Sequence, residues 1–144
     1  MNVSDKKLLR LKKSILTALR KADADFDLHL VTNAQMNRVR RALLARRDFK
    51  GPEARKITRE KIVSVLSFPE PKDFPHPESR KRRLGEVYLN LDFGRQDAGG
   101  KSGRLPALMV HGVLHLLGYR HDRLRDTIKM EALEKKLCKK LKIS

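Results

Sequence analysis

The chain has 144 residues, of which 40% are hydrophobic and 35% are charged. This length suits one domain with a hydrophobic core of its own, and the composition excludes a chain too polar to fold. The 34 lysines and arginines outnumber the 17 aspartates and glutamates, which gives a formal charge of +17. A charge of this size favours a polyanionic partner, with nucleic acid as the first class and an anionic membrane surface as the second.

The cysteine content and the hydropathy bear on the compartment. The single cysteine, Cys138, permits no intramolecular disulfide and suits a reducing compartment, which we take to be the cytoplasm. It falls on the apolar face of the last predicted helix, so we expect a small buried side chain and not a reactive thiol. No segment approaches the ~20 apolar residues that a spanning helix needs, so we expect no membrane span.

The hydrophobic periodicity predicts a mixture of helices and strands along the chain. The predicted elements are helix 5–22, strand 26–32, a helix from Asn33 to near Gly51, strands 62–68 and 84–93, helix 105–118 and a last helix over about 125–141. Asn33 is the expected N-cap of the second helix. The polar segment 51–60 matches no pattern, and residues 69–83 form a predicted loop rich in proline and charge. Because the strands are too few for a barrel, we predict an α+β fold with a single small mixed sheet covered by helices.

The stretch HGVLHLLGYRH, residues 111–121, contains three histidines around one glycine. His111 and His115 are four residues apart on a predicted helix, so their imidazoles share one face. Gly118 can end that helix in a left-handed conformation, and the returning chain then brings His121 towards the same point. Three neutral imidazoles with one open position are typical of a catalytic zinc site. The pattern therefore predicts a metal site at the end of a buried helix.

Each histidine taken alone is better explained as a core or capping residue that a backbone carbonyl satisfies. Three histidines at this spacing on an apolar helix favour the metal, because unpaired imidazoles are costly to bury. His29 and His76 have no such spacing, and we interpret them as a strand residue and a loop residue. The spacing also resembles the metzincin protease motif, in which a glutamate base follows the first histidine. Gly112 occupies that position here, which makes a metalloprotease a weak hypothesis.

The same stretch resembles HGxLHLxGYDH, the signature of the YbeY family of rRNA maturation endoribonucleases. VLSFPEP (65–71) resembles the family's VLSFP strand and turn, and LGEVYLNLDF (84–93) resembles its LGD-V-I strand. MEALE (130–134) is similar to a common stretch of the family's last helix. The resemblance covers roughly residues 26–141 in the same order of elements, and it implies one endoribonuclease domain over residues 1–144.

The resemblance implies one zinc ion per chain, held by His111, His115 and His121, with His111 also counted as catalytic. It implies cleavage of single-stranded RNA in maturation of the small-subunit rRNA 3′ end and in ribosome quality control. The partners would be rRNA and the small ribosomal subunit. The family also has a functional arginine shortly before VLSFP. Arg55 and Arg59 are both candidates for that role, and we assign the catalytic part to Arg59.

Basic residues in three parts of the chain are expected to contact the phosphates of RNA. These residues are Lys50, Arg55, Arg80, Lys81, Arg82, Arg83 and Arg120. Arg120 stands where the family usually has aspartate before its third histidine. Either the neighbouring Asp122 replaces that carboxylate as the partner of a ligand, or Arg120 neutralises a substrate phosphate.

A second function from another class stays open: an RNA- or ribosome-binding assembly factor with a structural zinc site. Arg120 and the pair Val63-Ser64, which stands where Thr-Asp or Thr-Asn is usual, favour this alternative slightly. The open ligand position favours the enzyme, because structural zinc sites are usually closed by four protein ligands. No residue stands out as the general base, so attack by water and attack by the neighbouring 2′-hydroxyl are both possible.

Overall fold

The computed structural model describes residues 3–60, 63–70, 82–95, 104–120 and 123–143. Its elements are α1 (Val3–Ala18), β1 (Ala24–Val31), α2 (Asn33–Leu44), α3 (Pro52–Arg59), β2 (Val65–Pro69), β3 (Arg82–Asn90), α4 (Leu91–Arg95), α5 (Arg104–Leu116) and α6 (Leu124–Lys140). The predicted α+β class is confirmed. No helix within the described ranges is long and apolar enough to cross a membrane.

The described strands form one mixed sheet in the order β1-β3-β2. The central strand β3 is parallel to β1, with Ala24 opposite Arg82, and antiparallel to β2, with Val65 opposite Leu89. A parallel pair cannot be joined by a tight turn, so the chain must cross over between β1 and β3. The prediction of a single small mixed sheet is therefore confirmed for the described residues.

Each face of the sheet has a hydrophobic core of its own, because successive strand residues point to opposite faces. On β3, Val87 and Leu89 are fully buried in the first core, which also contains residues of α1, α5 and α6. Tyr88 lies between them in sequence and packs on the second core, which contains Leu66 and residues of α2 and α3 such as Ile57. Helices α5 and α3 therefore lie on opposite faces of the sheet.

Several element boundaries differ from the prediction for local reasons. The N-cap of α2 is Thr32 and not Asn33, because the Thr32 side chain and Gln35 form a reciprocal capping box. The segment Pro52–Arg59, for which no element was predicted, is the helix α3. Residues 91–93, predicted as the end of a strand, belong to α4, and α2 ends at Leu44 well before Gly51.

One buried polar side chain, Asn90, ties the end of β3 to its neighbours. Only 1% of Asn90 is exposed. Its Nδ2 donates to Asn33 Oδ1 at 2.6 Å and to the Val63 carbonyl at 3.0 Å. Its Oδ1 accepts from the backbone N–H groups of Asp92 at 3.0 Å and Phe93 at 3.3 Å, which turns the chain into α4. These bonds satisfy the amide, and they explain why the alternating pattern does not continue as a strand.

Gly85, on β3, provides a test of the strand pairing. It has φ +139, and a Cβ there would overlap the Phe68 carbonyl oxygen and lie 2.9 Å from Pro69 Cα. We expect Gly85→Ala to lower the free energy of unfolding by roughly 3 kcal/mol or more, from backbone strain and overlap together. The matched control is Gly51→Ala, where φ is +100 but nothing lies within 4 Å, so only about 1–2 kcal/mol of strain is expected. Chemical denaturation measures both, and equal losses would contradict the register of β2 on β3.

Candidate metal centre

The imidazoles of His111 and His115 meet on one face of α5. Their Nε2 atoms lie 3.0 Å apart, and the rings cross at an interplanar angle of 79°. One helical turn separates the two residues, so the i,i+4 spacing places the two rings side by side. The structure therefore brings two of the three predicted ligands together.

The other nitrogen of each ring is held by a hydrogen-bond acceptor. His111 Nδ1 lies 2.7 Å from Glu134 Oε1, and His115 Nδ1 lies 2.9 Å from the Tyr119 carbonyl oxygen. Both acceptors require Nδ1 to carry the hydrogen, so in a neutral ring Nε2 presents its lone pair. The two Nε2 atoms face each other at 3.0 Å and could share one cation. A carboxylate or carbonyl behind a ligating histidine is the usual support of a metal site.

The donor set fits zinc. Two nitrogens bound to one tetrahedral zinc ion, each at 2.0–2.1 Å, lie roughly 3.3 Å from each other. The observed separation of 3.0 Å is close to this value. His111 is only partly exposed, with 27% of its side chain accessible, and Glu134 is similar at 26%. A half-buried carboxylate beside the ring also attracts a cation more strongly than an exposed one.

Gly112 faces the sheet and not the metal centre. A Cβ there would lie 3.0 Å from Val87 Cγ1, 3.1 Å from Val65 Cγ2 and 3.2 Å from Ser67 Oγ. The Ser67 hydroxyl donates to the Gly112 carbonyl at 2.8 Å and holds α5 in this position. A glutamate at residue 112 would therefore point into the sheet and not at the histidines, which counts against the weak protease hypothesis.

Glu134 contacts the candidate metal centre, and the sequence analysis did not identify it. It lies on α6 between Met130 and Leu137, which are both buried in the first core. A charged residue on the core-facing side of a helix was the available signal, because such residues are almost never buried without a partner. Cys138, one turn further on, is half-buried and packs on the same core. Burial and then the charge of Glu134 raise the pKa of its thiol, which keeps it protonated.

Three of the predicted site residues, His121, Arg80 and Lys81, lie outside the described residues, as does Asp122. Their roles stay predictions. Arg120 is described and exposed, directly after Tyr119, and Arg82 is exposed at the start of β3.

Arg83 lies in an ion-pair network on the sheet. Its guanidinium pairs with Asp27, and its Nε lies 3.6 Å from Glu70 Oε1. The hydrogen bond to Asp27 raises the pKa of Arg83. A phosphate of RNA would have to compete with these two carboxylates, so the RNA-binding role of Arg83 also stays a prediction.

Lys50, Arg55 and Arg59 come together in one groove. It lies between the end of α2 and α3, and its volume is about 810 Å³. Because α3 packs on the second core, this groove belongs to the face of the sheet opposite α5. The catalytic role assigned to Arg59 stays a prediction.

A second group of possible metal ligands lies on the sheet itself. Ligand atoms of Asp27, His29 and Glu86 all lie within 4.8 Å of one another and could hold a metal ion. His29 is a β1 residue, as predicted, and stacks on Tyr88 with 4.4 Å between ring centroids. Its Nε2 lies 3.2 Å from Glu86 Oε1, and Asp27 pairs with Arg83, so this group is satisfied without an ion. The pair on α5 is the better candidate, because its two nitrogens face each other.

Comparison with known proteins gives matches to one family. The family model described as Endoribonuclease YbeY matches residues 2–142. A protein of that name from Myxococcus xanthus is 41% identical over 86 residues, which are 55% of this chain and 28% of that protein. The protein of the same name from Anaeromyxobacter sp. strain Fw109-5 is 32% identical over 128 residues, 86% of this chain and 58% of that protein. The protein of that name from Anaeromyxobacter dehalogenans is 30% identical over 130 residues, which are 88% of this chain and 58% of that protein.

The chain spans from 28% to 58% of the length of these three relatives. The matched region of the family model nevertheless includes the sheet, both cores and the histidine pair, since it runs from residue 2 to residue 142. The chain therefore belongs to the YbeY family.

Proposed function

We propose that this chain is a metal-dependent endoribonuclease that cleaves single-stranded RNA in the cytoplasm. Its substrate would be the 3′ region of small-subunit rRNA, with the small ribosomal subunit as the partner during maturation and quality control. The observation that carries the proposal is the convergence of the His111 and His115 Nε2 atoms at 3.0 Å. The relatives named Endoribonuclease YbeY support RNA as the substrate, and the formal charge of +17 suits a polyanion.

His111, His115 and His121 would hold one zinc ion, with one position left open for water or substrate. When bound, the ion would supply Lewis-acid polarisation of a phosphoryl oxygen. The protein's own part is to keep the two described rings in their ligating orientation. Glu134 does so for His111 through a bond of 2.7 Å, and the Tyr119 carbonyl does so for His115 at 2.9 Å.

The helix-ending turn provides the second of these supports. Gly118 has φ +98, and its N–H donates to the His115 carbonyl at 3.1 Å, while the Tyr119 N–H reaches back to Leu114. This left-handed turn points the Tyr119 carbonyl at the imidazole one turn earlier. Gly118 therefore contributes to the site through the backbone conformation that it permits.

Cations near the scissile phosphate would offset the charge that develops in the transition state. The sequence analysis gave this part to Arg59, but Arg59 lines the groove on the face of the sheet opposite the histidines, so we do not assign it to a phosphate bound at the metal centre. Its Nε contacts the Arg55 carbonyl at 3.4 Å, and its side chain is exposed. Arg120 is an exposed cation directly after the residue that orients His115, so we assign it to binding a substrate phosphate together with Arg80, Lys81, Arg82 and Arg83.

The first prediction concerns the metal. Wild-type protein should contain about one zinc ion per chain and cleave single-stranded RNA. His115→Ala removes one converging nitrogen, so it should lose most of the zinc and the cleavage together. His29→Ala is the matched control, because it removes a histidine from the Asp27-His29-Glu86 group and should leave both unchanged. Elemental mass spectrometry measures the zinc content per chain, and a cleavage assay on the same samples measures the activity on RNA.

The outcomes separate the candidate functions. Bound zinc without cleavage of single-stranded or ribosomal RNA would favour the assembly factor with a structural zinc site. Zinc that is lost with His29→Ala and kept with His115→Ala would move the metal centre to the sheet. A 2′,3′-cyclic phosphate on the product would assign the attack to the neighbouring 2′-hydroxyl and exclude direct attack by water.

The second prediction concerns Glu134. Glu134→Gln keeps an acceptor for His111 Nδ1 but removes the negative charge behind the ring, so zinc affinity should fall by about 10–100-fold. Glu131→Gln is the matched control, since Glu131 lies on the same helix and is exposed. Competition with a zinc chelator measures both affinities. Equal affinities in the two variants would show that Glu134 does not support the metal centre.

A further inference from the structure

The groove between α2 and α3 combines positive charge with apolar walls. Lys50, Arg55 and Arg59 line it, and all three side chains are exposed. The apolar part of the wall is formed by Leu44 and Phe49, which also pack on the second core. Among the described residues that line the groove, none is acidic.

Two acidic residues beside the groove, Asp48 and Glu60, are paired with other cations. Asp48 binds Arg46 at 2.6 Å, and this pairing lowers the pKa of Asp48. Glu60 lies 3.9 Å from Lys56. The three cations of the groove therefore face solvent without competition from these two carboxylates, which favours an anionic ligand.

The helical geometry of α3 places two of the three cations on the same side of the helix. Arg55 and Arg59 are one turn apart on α3, so they lie on one side of the helix. Lys50 precedes Gly51, where φ of +100 turns the chain into the first turn of α3. A row of cations beside an apolar wall suits single-stranded nucleic acid, whose phosphates take the charges while a base covers the apolar surface.

The groove and the metal centre use different faces of the sheet. α3 packs on the second core through Ile57, whereas α5 packs on the first core through residues such as Val113. A ligand in the groove is therefore separated from the histidines by the thickness of the sheet. A strand that contacts both sites must pass around an edge of the domain.

We propose that the α2–α3 groove is a second RNA-binding site, which anchors a segment of the substrate away from the cleaved phosphate. This inference rests on RNA being the substrate in the proposed function. In this inference Lys50 and Arg55 hold the RNA at a place distant from the histidines. Only RNA long enough to pass around the sheet can use the groove and the metal centre together, so the groove selects for long substrates over short fragments.

The test measures RNA affinity with the zinc-loaded full chain. The probe is a labelled single-stranded 2′-O-methyl RNA of about 24 nucleotides, longer than the roughly 4–16 nucleotides that one such site covers. The groove variant is Lys50→Gln with Arg55→Gln, which leaves Arg59 in place. The matched control is Lys139→Gln with Lys140→Gln, which removes two exposed charges from the end of α6.

The groove variant should bind this RNA on the order of tenfold more weakly than wild type, and the control should bind within about twofold. The slope of log affinity against log salt should fall by about 1.4 for two lost phosphate contacts on a single strand. Thermal unfolding checks that both variants fold, which the exposure of all four residues favours. A 4-thiouridine RNA should crosslink to the peptide that contains Phe49.

Three results would overturn the anchoring site. Equal losses in the groove variant and the control would mean that affinity follows net charge alone. Unchanged affinity in the groove variant, with wild-type binding and cleavage intact, would remove the site and leave the proposed function standing. Displacement of the RNA by polyglutamate at equal charge concentration would identify an acidic protein segment as the occupant. Wild-type protein that binds no RNA would instead contradict the proposed function itself.

Discussion

The close contact of helix α5 with the sheet at Gly112 determines where the histidines point. A Cβ at residue 112 would lie 3.0 Å from Val87 Cγ1 and 3.1 Å from Val65 Cγ2, so a larger residue would have to push these side chains back by a few tenths of an ångström. Successive residues on a helix are rotated by about 100°, so fixing Gly112 towards the sheet directs His111 sideways towards α6. Glu134 lies in that direction and completes the contact. The orientation of the His111–His115 pair is thus a consequence of core packing.

The sheet also separates the histidine pair from the cationic groove, which lie on its opposite faces. Alternate residues of β3 belong to different cores, with Val87 in the first and Tyr88 in the second. The first core supports α5 and α6, which supply the histidines and Glu134. The second core supports α2 and α3, whose junction concentrates cations in one groove. A polyanion that contacted both faces would be attracted to the molecule as a whole, because its formal charge is +17.

The parts of the site that could be predicted from the sequence are the local ones. His111 and His115 were found because a spacing of four residues fixes their geometry within one helix. Glu134 was missed because its contact with His111 depends on how α6 packs against α5, which no local pattern records. The helix α3 was missed because its 8 residues are mostly polar, and a segment of this length is too short to show the hydrophobic periodicity of a helix. The strand predicted to residue 93 ends early, because the side chain of Asn90 accepts hydrogen bonds from the N–H groups of Asp92 and Phe93.

The packing of α5 bears on whether a metal at this site serves the fold or the chemistry. Met109, Val110, Val113 and Leu114 are all fully buried, so apolar contacts already set the position of the helix. The rings are oriented by Glu134 and the Tyr119 carbonyl, which are contacts of the protein with itself. A structural zinc site, by contrast, contributes folding free energy to a domain whose core is insufficient. The two described histidines are held in place by the protein itself, so an ion that bound them would spend little binding energy on ordering their rings, unlike an ion on which the folding of a domain depends.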